Sequence, residues 1–254
     1  MIESLQNEKI KNLNRLNTDN RFRKKSKFIV VEGQQENERA IQFGYSPQEF
    51  FICKVYFQKE HPNGKVHLVT DKVYEKIAYR GTSEGIIGIY EVKDHALENF
   101  NVPENASIIV VEGMEKPGNL GAILRSCEAF GIDALVITES KVDFYNPNVI
   151  RSSVGCLFGM QLFESTNEEL HTFLKENNVE IKTTFMSDDA KLLPQVDLKS
   201  KTALFFGTEH SGLTDYWKDK GKNCLIPMSG TIDSLNLSNA VAISCYEFLR
   251  QKMA

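Results

Sequence analysis

The chain has 254 residues, 41% of them hydrophobic, and a formal net charge of −4. That is enough apolar material for one large or two modest cores, and it excludes a protein coated in positive charge, although a local basic patch stays open. Cys53, Cys127, Cys156, Cys224 and Cys245 form no C-x-x-C pair and the five histidines show no metal-ligand spacing, so buried free thiols are expected and no metal site.

The amino terminus, MIESLQNEKIKNLNRL, has no continuous apolar run and reads as a polar helix. Nothing later approaches the roughly 18 apolar residues of a membrane span, so a cytoplasmic protein with no membrane partner is expected. Lys9, Lys11, Arg15, Arg21, Arg23, Lys24, Lys25 and Lys27 crowd the first 27 residues, against Glu3, Glu8 and Asp19. Such a cluster is either a solubilising helix and turn or a phosphate-binding patch. KFIVVEG then reads as a strand and QQENERAIQFG as a helix closed by Gly44; EFFIC, KVHLVT and GIIGIYEV are further strands, with a helix over DKVYEKIAY. This small α/β unit ends near residue 92. Residues 93–106 lose the strand pattern and contain Pro103, which predicts a linker.

Beyond it, SIIVVEG, ALVIT, LFGMQLF, VEIKTTF, TALFFG and NCLIPM are strand candidates with helices between several of them, and a last helix runs from about Asn236 to Lys252. Short apolar strands alternating with helices imply a mainly parallel sheet covered on both faces. In the helix of VEGMEKPGNLGAILRSCEAFGIDALVI, residues Leu120, Ile123, Leu124 and Cys127 form an apolar face, while Arg125 rises beside Gly121 and Ala122, a cation where the helix is pared to its backbone. In the last helix, Leu237, Ala240, Val241, Ser244, Cys245 and Phe248 form one apolar face, and Ile243, Tyr246 and Leu249 leave the other side apolar too. A partner subunit, or burial inside the helix's own domain, would account for the second side.

Three loops rich in small and polar residues follow predicted strands: EGMEKPGNLGAILR, FFGTEHSGL and IPMSGTIDSLNLSNA. In open parallel α/β sheets that edge binds ligands. Gly207 and Gly212 have P-loop spacing, but Leu213 stands where the lysine is needed, and no G-x-G-x-x-G opens a helix. Taken singly, Asn119 reads as a helix N-cap, Glu209 as a first-turn acid, and Ser234 or Asn236 as a cap of the last helix.

Taken together and in this order, the loops resemble the SpoU, or TrmH-like, branch of the SPOUT methyltransferases across residues 107–254. The first family motif is matched by Asn119, Gly121, Ala122 and Arg125, and the second by Gly207, Glu209, Gly212 and Leu213. The third is matched by Ile226, Pro227, Met228, Ser234, Leu235, Asn236, Ser238 and Ala240, and RSSVGCLF resembles a segment between the first two. Lys116 departs from the aspartate that many members carry before Pro-x-Asn. The amino-terminal unit is similar, less specifically, to the ribosomal-protein-like RNA-binding domain of rRNA-modifying members.

The resemblance implies a small α/β RNA-binding domain over residues 1–100, a linker to about 106, and a SPOUT-type parallel sheet with a carboxyl-terminal trefoil knot over 107–254. It implies a homodimer that transfers a methyl group from S-adenosylmethionine to a ribose 2'-hydroxyl of RNA, with large-subunit ribosomal RNA favoured over tRNA and no DNA partner. A tRNA enzyme and a non-catalytic RNA-binding protein are the alternatives. By the same resemblance Gly207, Ile226 and Leu235 hold the cofactor, and Arg125, Asn119, Glu209, Ser234 and Asn236 serve catalysis. A guanidinium stays protonated in proteins, so Arg125 is expected to stabilise a developing alkoxide and grip phosphate rather than act as a base, with Gly121 and Ala122 clearing space for the RNA backbone.

Overall fold

Ile10, Leu13 and Leu16 recur at helical spacing and form the buried face of α1 (Glu8–Thr18) in the computed structural model, which describes residues 1–79, 84–208 and 210–253. The helix ends where Asp19 turns extended. Its carboxylate accepts the Phe22 N–H at 3.0 Å and caps α2 (Asn20–Ser26), so the single polar helix read from the sequence is two. Next come β1 (Phe28–Glu32), α3 (Gln34–Gln42), β2 (Pro47–Ile52), β3 (Lys65–Leu68), α4 (Asp71–Ile77) and β4 (Ile86–Glu91). The strands form a sheet in the order β1-β4-β2-β3, antiparallel except between β2 and β3. Its core joins the α1 face to Val30, Phe51, Tyr74 and Ile87.

The second unit holds β5 (Ser107–Glu112), α5 (Pro117–Ala129) and β6 (Ala134–Thr138). Residues 143–159, with α6 (Pro147–Ser152) and α7 (Cys156–Gly159), group with the first unit instead. There Asp143 takes the guanidinium of Arg23 at 2.6 and 2.7 Å, and the Tyr145 hydroxyl meets that of Tyr45 at 3.0 Å. Arg23 also donates to the carbonyls of Leu16 and Asn17 and is 4% exposed. It is a structural cation, not the phosphate contact that its basic neighbourhood suggested, whereas Arg21, Lys24, Lys25 and Lys27 are exposed.

The second unit resumes with β7 (Leu162–Ser165), α8 (Asn167–Glu176), β8 (Glu180–Thr183), β9 (Lys191–Leu192), β10 (Thr202–Phe206), β11 (Lys222–Leu225) and α9 (Leu237–Met253). Its sheet runs β7-β6-β5-β10-β8-β11-β9, with every described pairing parallel. Every residue of β5, β6 and β10 is buried, as in a parallel sheet covered on both faces. Two readings are corrected. The apolar run LFGMQLF begins as helix α7 and becomes strand only at Leu162, because a continuous apolar run carries no period to tell the two apart. The stretch read as a linker is packed: Leu97 and Phe100 enter this core, Phe100 stacks on Phe163 at 5.1 Å, and Ala96 bridges Glu164. No helix among the described residues is long and apolar enough to cross a membrane.

Candidate cofactor cleft and active site

β5 and β10 are neighbours, but β6 and β7 continue to one side of them, while β8, β11 and β9 lie on the other. Loops leaving the carboxyl ends of strands at such a switch point diverge and open a crevice. The loops after β8, β10 and β11 line a cleft of about 640 Å³ at this edge, within the range that seats drug-sized ligands. Gly207, Ile226 and Leu235 line it together, with Ser234 at its edge.

Gly207 needs to be glycine for a reason the sequence hid. A side chain there would fall about 2 Å from the backbone of Gly212, which folds back so that Thr208 and Gly212 exchange hydrogen bonds at 3.1 and 3.0 Å. Gly212 itself sits at φ +65°. The glycines close a tight loop, and both line the cleft.

The walls are dry on one side, from Phe206, Leu213, Ile226 and Leu235. Among the described residues lining the cleft, the carboxylates are Asp215 and Asp233, and there is no lysine or arginine. That electrostatic character suits a ligand carrying positive charge beside an aromatic ring, and it is wrong for a polyphosphate. Cys224 forms part of the wall, and burial pushes its thiol up to about 11, so it is a neutral wall atom and no nucleophile.

A smaller hollow of about 30 Å³ adjoins the cleft through Thr208, His210 and Leu237 and is bounded by Lys116 and Asn119 of the first loop. Helix α5 begins earlier than its sequence suggested. Lys116 takes the N-cap position without a side-chain cap and Pro117 the first turn, so Asn119 lies inside the helix and is not its cap. Asn236 does cap α9: its Oδ1 accepts the Ser238 N–H at 2.9 Å and the Ser238 hydroxyl at 2.7 Å. Its Nδ2 also faces Asn119 Oδ1 at 3.5 Å, which joins the first and third loops.

Arg125 is exposed on α5 and lines neither hollow, while Gly121 is buried. Ala122, partly exposed, is the small residue that lies at the surface beside the arginine. Glu209 lies outside the described residues. Sequence reasoning passed over Thr208, His210 and Asp233 at the cleft and Glu112 beneath it; only Glu112, an acid ending an otherwise apolar strand, carried a signal.

Fold and cleft together define a class: an α/β protein with a drug-sized, carboxylate-lined cleft at the carboxyl edge of a parallel sheet. Comparison with known proteins makes this specific. The model of the SpoU rRNA Methylase family matches residues 106–246, and that of the MRM3-like substrate binding domain matches residues 7–88. The 23S rRNA (guanosine(2553)-2'-O)-methyltransferase RlmP of Bacillus subtilis is 23% identical over 96% of this chain and 97% of its own length. A crystal structure of an RNA 2'-O ribose methyltransferase is 32% identical, covers 100% of this chain and 99% of that one, and superposes with a TM-score of 0.87. An AdoMet-bound rRNA methyltransferase from Sinorhizobium meliloti shares the fold at a TM-score of 0.89, 24% identical over 100% of this chain and 98% of that one. The chain belongs to the SpoU rRNA Methylase family, and so to the S-adenosylmethionine-dependent RNA 2'-O-methyltransferases.

Proposed function

We propose that this chain methylates a ribose 2'-hydroxyl of large-subunit ribosomal RNA, using the 207–213, 226–235 and 113–125 segments as its active site. The observation that carries the reading is the cleft itself, with folded-back main chain on one side, an apolar wall on the other and carboxylates as its fixed charges. S-adenosylmethionine supplies an electrophilic methyl on a sulfonium and leaves as a neutral thioether. Gly207 and its neighbours offer main-chain hydrogen bonds, and Ile226 and Leu235 give adenine a dry wall. The carboxylates Asp215 and Asp233 favour the ligand's positive charge.

The remaining task is to align a weakly acidic hydroxyl and remove its proton. Asn119 and Asn236, held 3.5 Å apart, orient the ribose, with Ser234 and Glu209 steadying the loops around it. Arg125 grips an adjacent phosphate and stabilises the developing alkoxide, and phosphate or solvent takes the proton. Similarity to the Bacillus subtilis 23S rRNA enzyme extends through the amino-terminal unit, which supports a ribosomal target and a substrate-binding role for roughly residues 1–100. A knotted carboxyl-terminal segment, a homodimer and a cytoplasmic location belong to the same reading.

The test is methyl transfer from isotopically labelled S-adenosylmethionine to total RNA from cells lacking the gene, followed by mapping of alkali-resistant ribose methylation. A single labelled position in large-subunit rRNA is expected; label confined to tRNA, or no label, overturns the assignment. Leu235→Asp, which sets an unpaired charge against the apolar wall, should abolish calorimetric binding of S-adenosylmethionine, and normal affinity would move the cofactor elsewhere.

A further inference from the structure

Strand β5 ends on a buried acid. Glu112, 2% exposed, follows five buried residues, and its carboxylate accepts three hydrogen bonds. One comes from Asn167 Nδ2 at 2.6 Å, one from the Thr214 backbone N–H at 2.8 Å, and one from the Thr214 hydroxyl at 2.7 Å. Turning the Asn167 amide over would break another bond, because its Oδ1 accepts the Trp217 indole N–H at 3.2 Å. Three donors thus converge on a group that, when ionised, can only accept.

Packing alone does not ask for a charge here, since an apolar side chain ending a fully buried strand avoids the desolvation cost altogether. What the carboxylate does is fasten the exit of the 207–214 loop. The loop's entry is already closed by the Gly207–Gly212 approach and the Thr208–Gly212 pair. One residue beyond Glu112, Gly113 starts the first loop at φ +70°, where an added side chain would lie 2.9 Å from the Thr208 methyl.

We propose that Glu112 is a positioning residue for cofactor binding: by holding Thr214 it sets the path of Gly207, Thr208 and residues 210–213, which line the cleft, with Asn167 and Trp217 keeping the carboxylate oriented. This rests on the reading of that cleft as the S-adenosylmethionine site.

A donor–acceptor swap separates this role from general stability. Glu112→Gln sets an amide NH₂ against either Asn167 Nδ2 or the Thr214 N–H, whichever way it turns. Adding Asn167→Asp supplies that amide with an acceptor, keeps the charge of the pair and still accepts the Trp217 N–H. Glu112→Gln should raise the calorimetric Kd and the KM for S-adenosylmethionine about tenfold or more, the effect of one buried donor left unmet, with kcat at saturating cofactor within about threefold of wild type. The double variant should return to within about threefold of wild-type affinity and restore the emission of Trp217, the chain's single tryptophan.

Wild-type affinity in Glu112→Gln, or no recovery in the double variant, overturns the proposal. If Glu112→Gln fails to fold, Thr214→Val at its exposed position removes only the hydroxyl donor; it should weaken cofactor binding about threefold, and an unchanged Kd is equally fatal. Loss of binding in Leu235→Asp beside normal binding in Glu112→Gln sinks this inference alone, whereas normal binding in Leu235→Asp removes the cleft reading beneath it.

Discussion

Arg125 is exposed on the helix that begins the first motif, and its neighbour one turn back, Gly121, is buried. Because the side chain supports no part of the cleft wall, Arg125→Ala should keep the fold and the affinity for S-adenosylmethionine while lowering methylation about a hundredfold, the order expected when a transition-state charge contact is lost. Equal losses in calorimetric affinity and turnover would make the arginine structural. Arg23 is the opposite case. Its ion pair with Asp143 is 5% and 10% exposed at the two side chains, so Arg23→Ala strands a buried carboxylate and should cost about 3–5 kcal/mol in denaturant unfolding. Replacing the exposed Arg21, Lys24 and Lys25 instead should leave stability nearly unchanged and, if the patch meets phosphates, flatten the salt dependence of RNA binding by up to about three in slope. A flat response would remove this helix from the RNA interface.

Helix α9 buries Leu237, Val241, Ser244, Cys245 and Phe248 on the side its periodicity announced. It also buries Glu247, which no pattern of apolar residues would select. Hydrogen bonds from Arg250 at 2.7 and 2.8 Å and from Gln251 at 2.7 Å hold the Glu247 carboxyl below its ordinary range despite the opposing effect of burial. A carboxyl lowered in the folded state contributes stability that is present above its unfolded pKa and lost as pH falls through the folded one. Wild-type stability should therefore decline as pH falls below the ordinary glutamate value of 4.5, and Glu247→Gln should decline less steeply. Parallel acid-unfolding curves for the two would show that the group contributes nothing to the pH dependence.

The two compact units interleave in sequence, since residues 143–159 group with residues 1–94. Cutting the chain near residue 100 would strip Asp143 of Arg23 and Tyr145 and Phe158 of Tyr45, so a truncated methyltransferase domain would lose activity whether or not the amino-terminal unit reads RNA. Point variants are the sounder test. On the far side of α9, Ile243 and Tyr246 are 43% and 53% exposed, an apolar pair that a second copy would cover. In the homodimer proposed above, Ile243→Asp should yield a monomer in sedimentation with little activity, and an active wild-type monomer would end that idea.

How far the sequence could be read depended on how local the cause was. Alternation of short apolar strands with helices foretold a parallel sheet, and glycines and small polar residues after three strands marked loops at its carboxyl edge, because both patterns arise within a few residues of chain. The cofactor candidates Gly207, Ile226 and Leu235, drawn from two loops, line one cleft for that reason. Where partners are distant, the residues alone misled. Arg23 looked like its basic neighbours until Asp143, 120 residues away, claimed it. Leu97 and Phe100 looked like linker until Phe163 was beside them. The glycine at 207 also makes room for the backbone of Gly212, and Glu112 is paired with Asn167 and Thr214, neighbours that no local pattern announced. Burial and hydrogen-bond pairing belong to three-dimensional neighbourhoods, and only the folded chain brings those neighbours together.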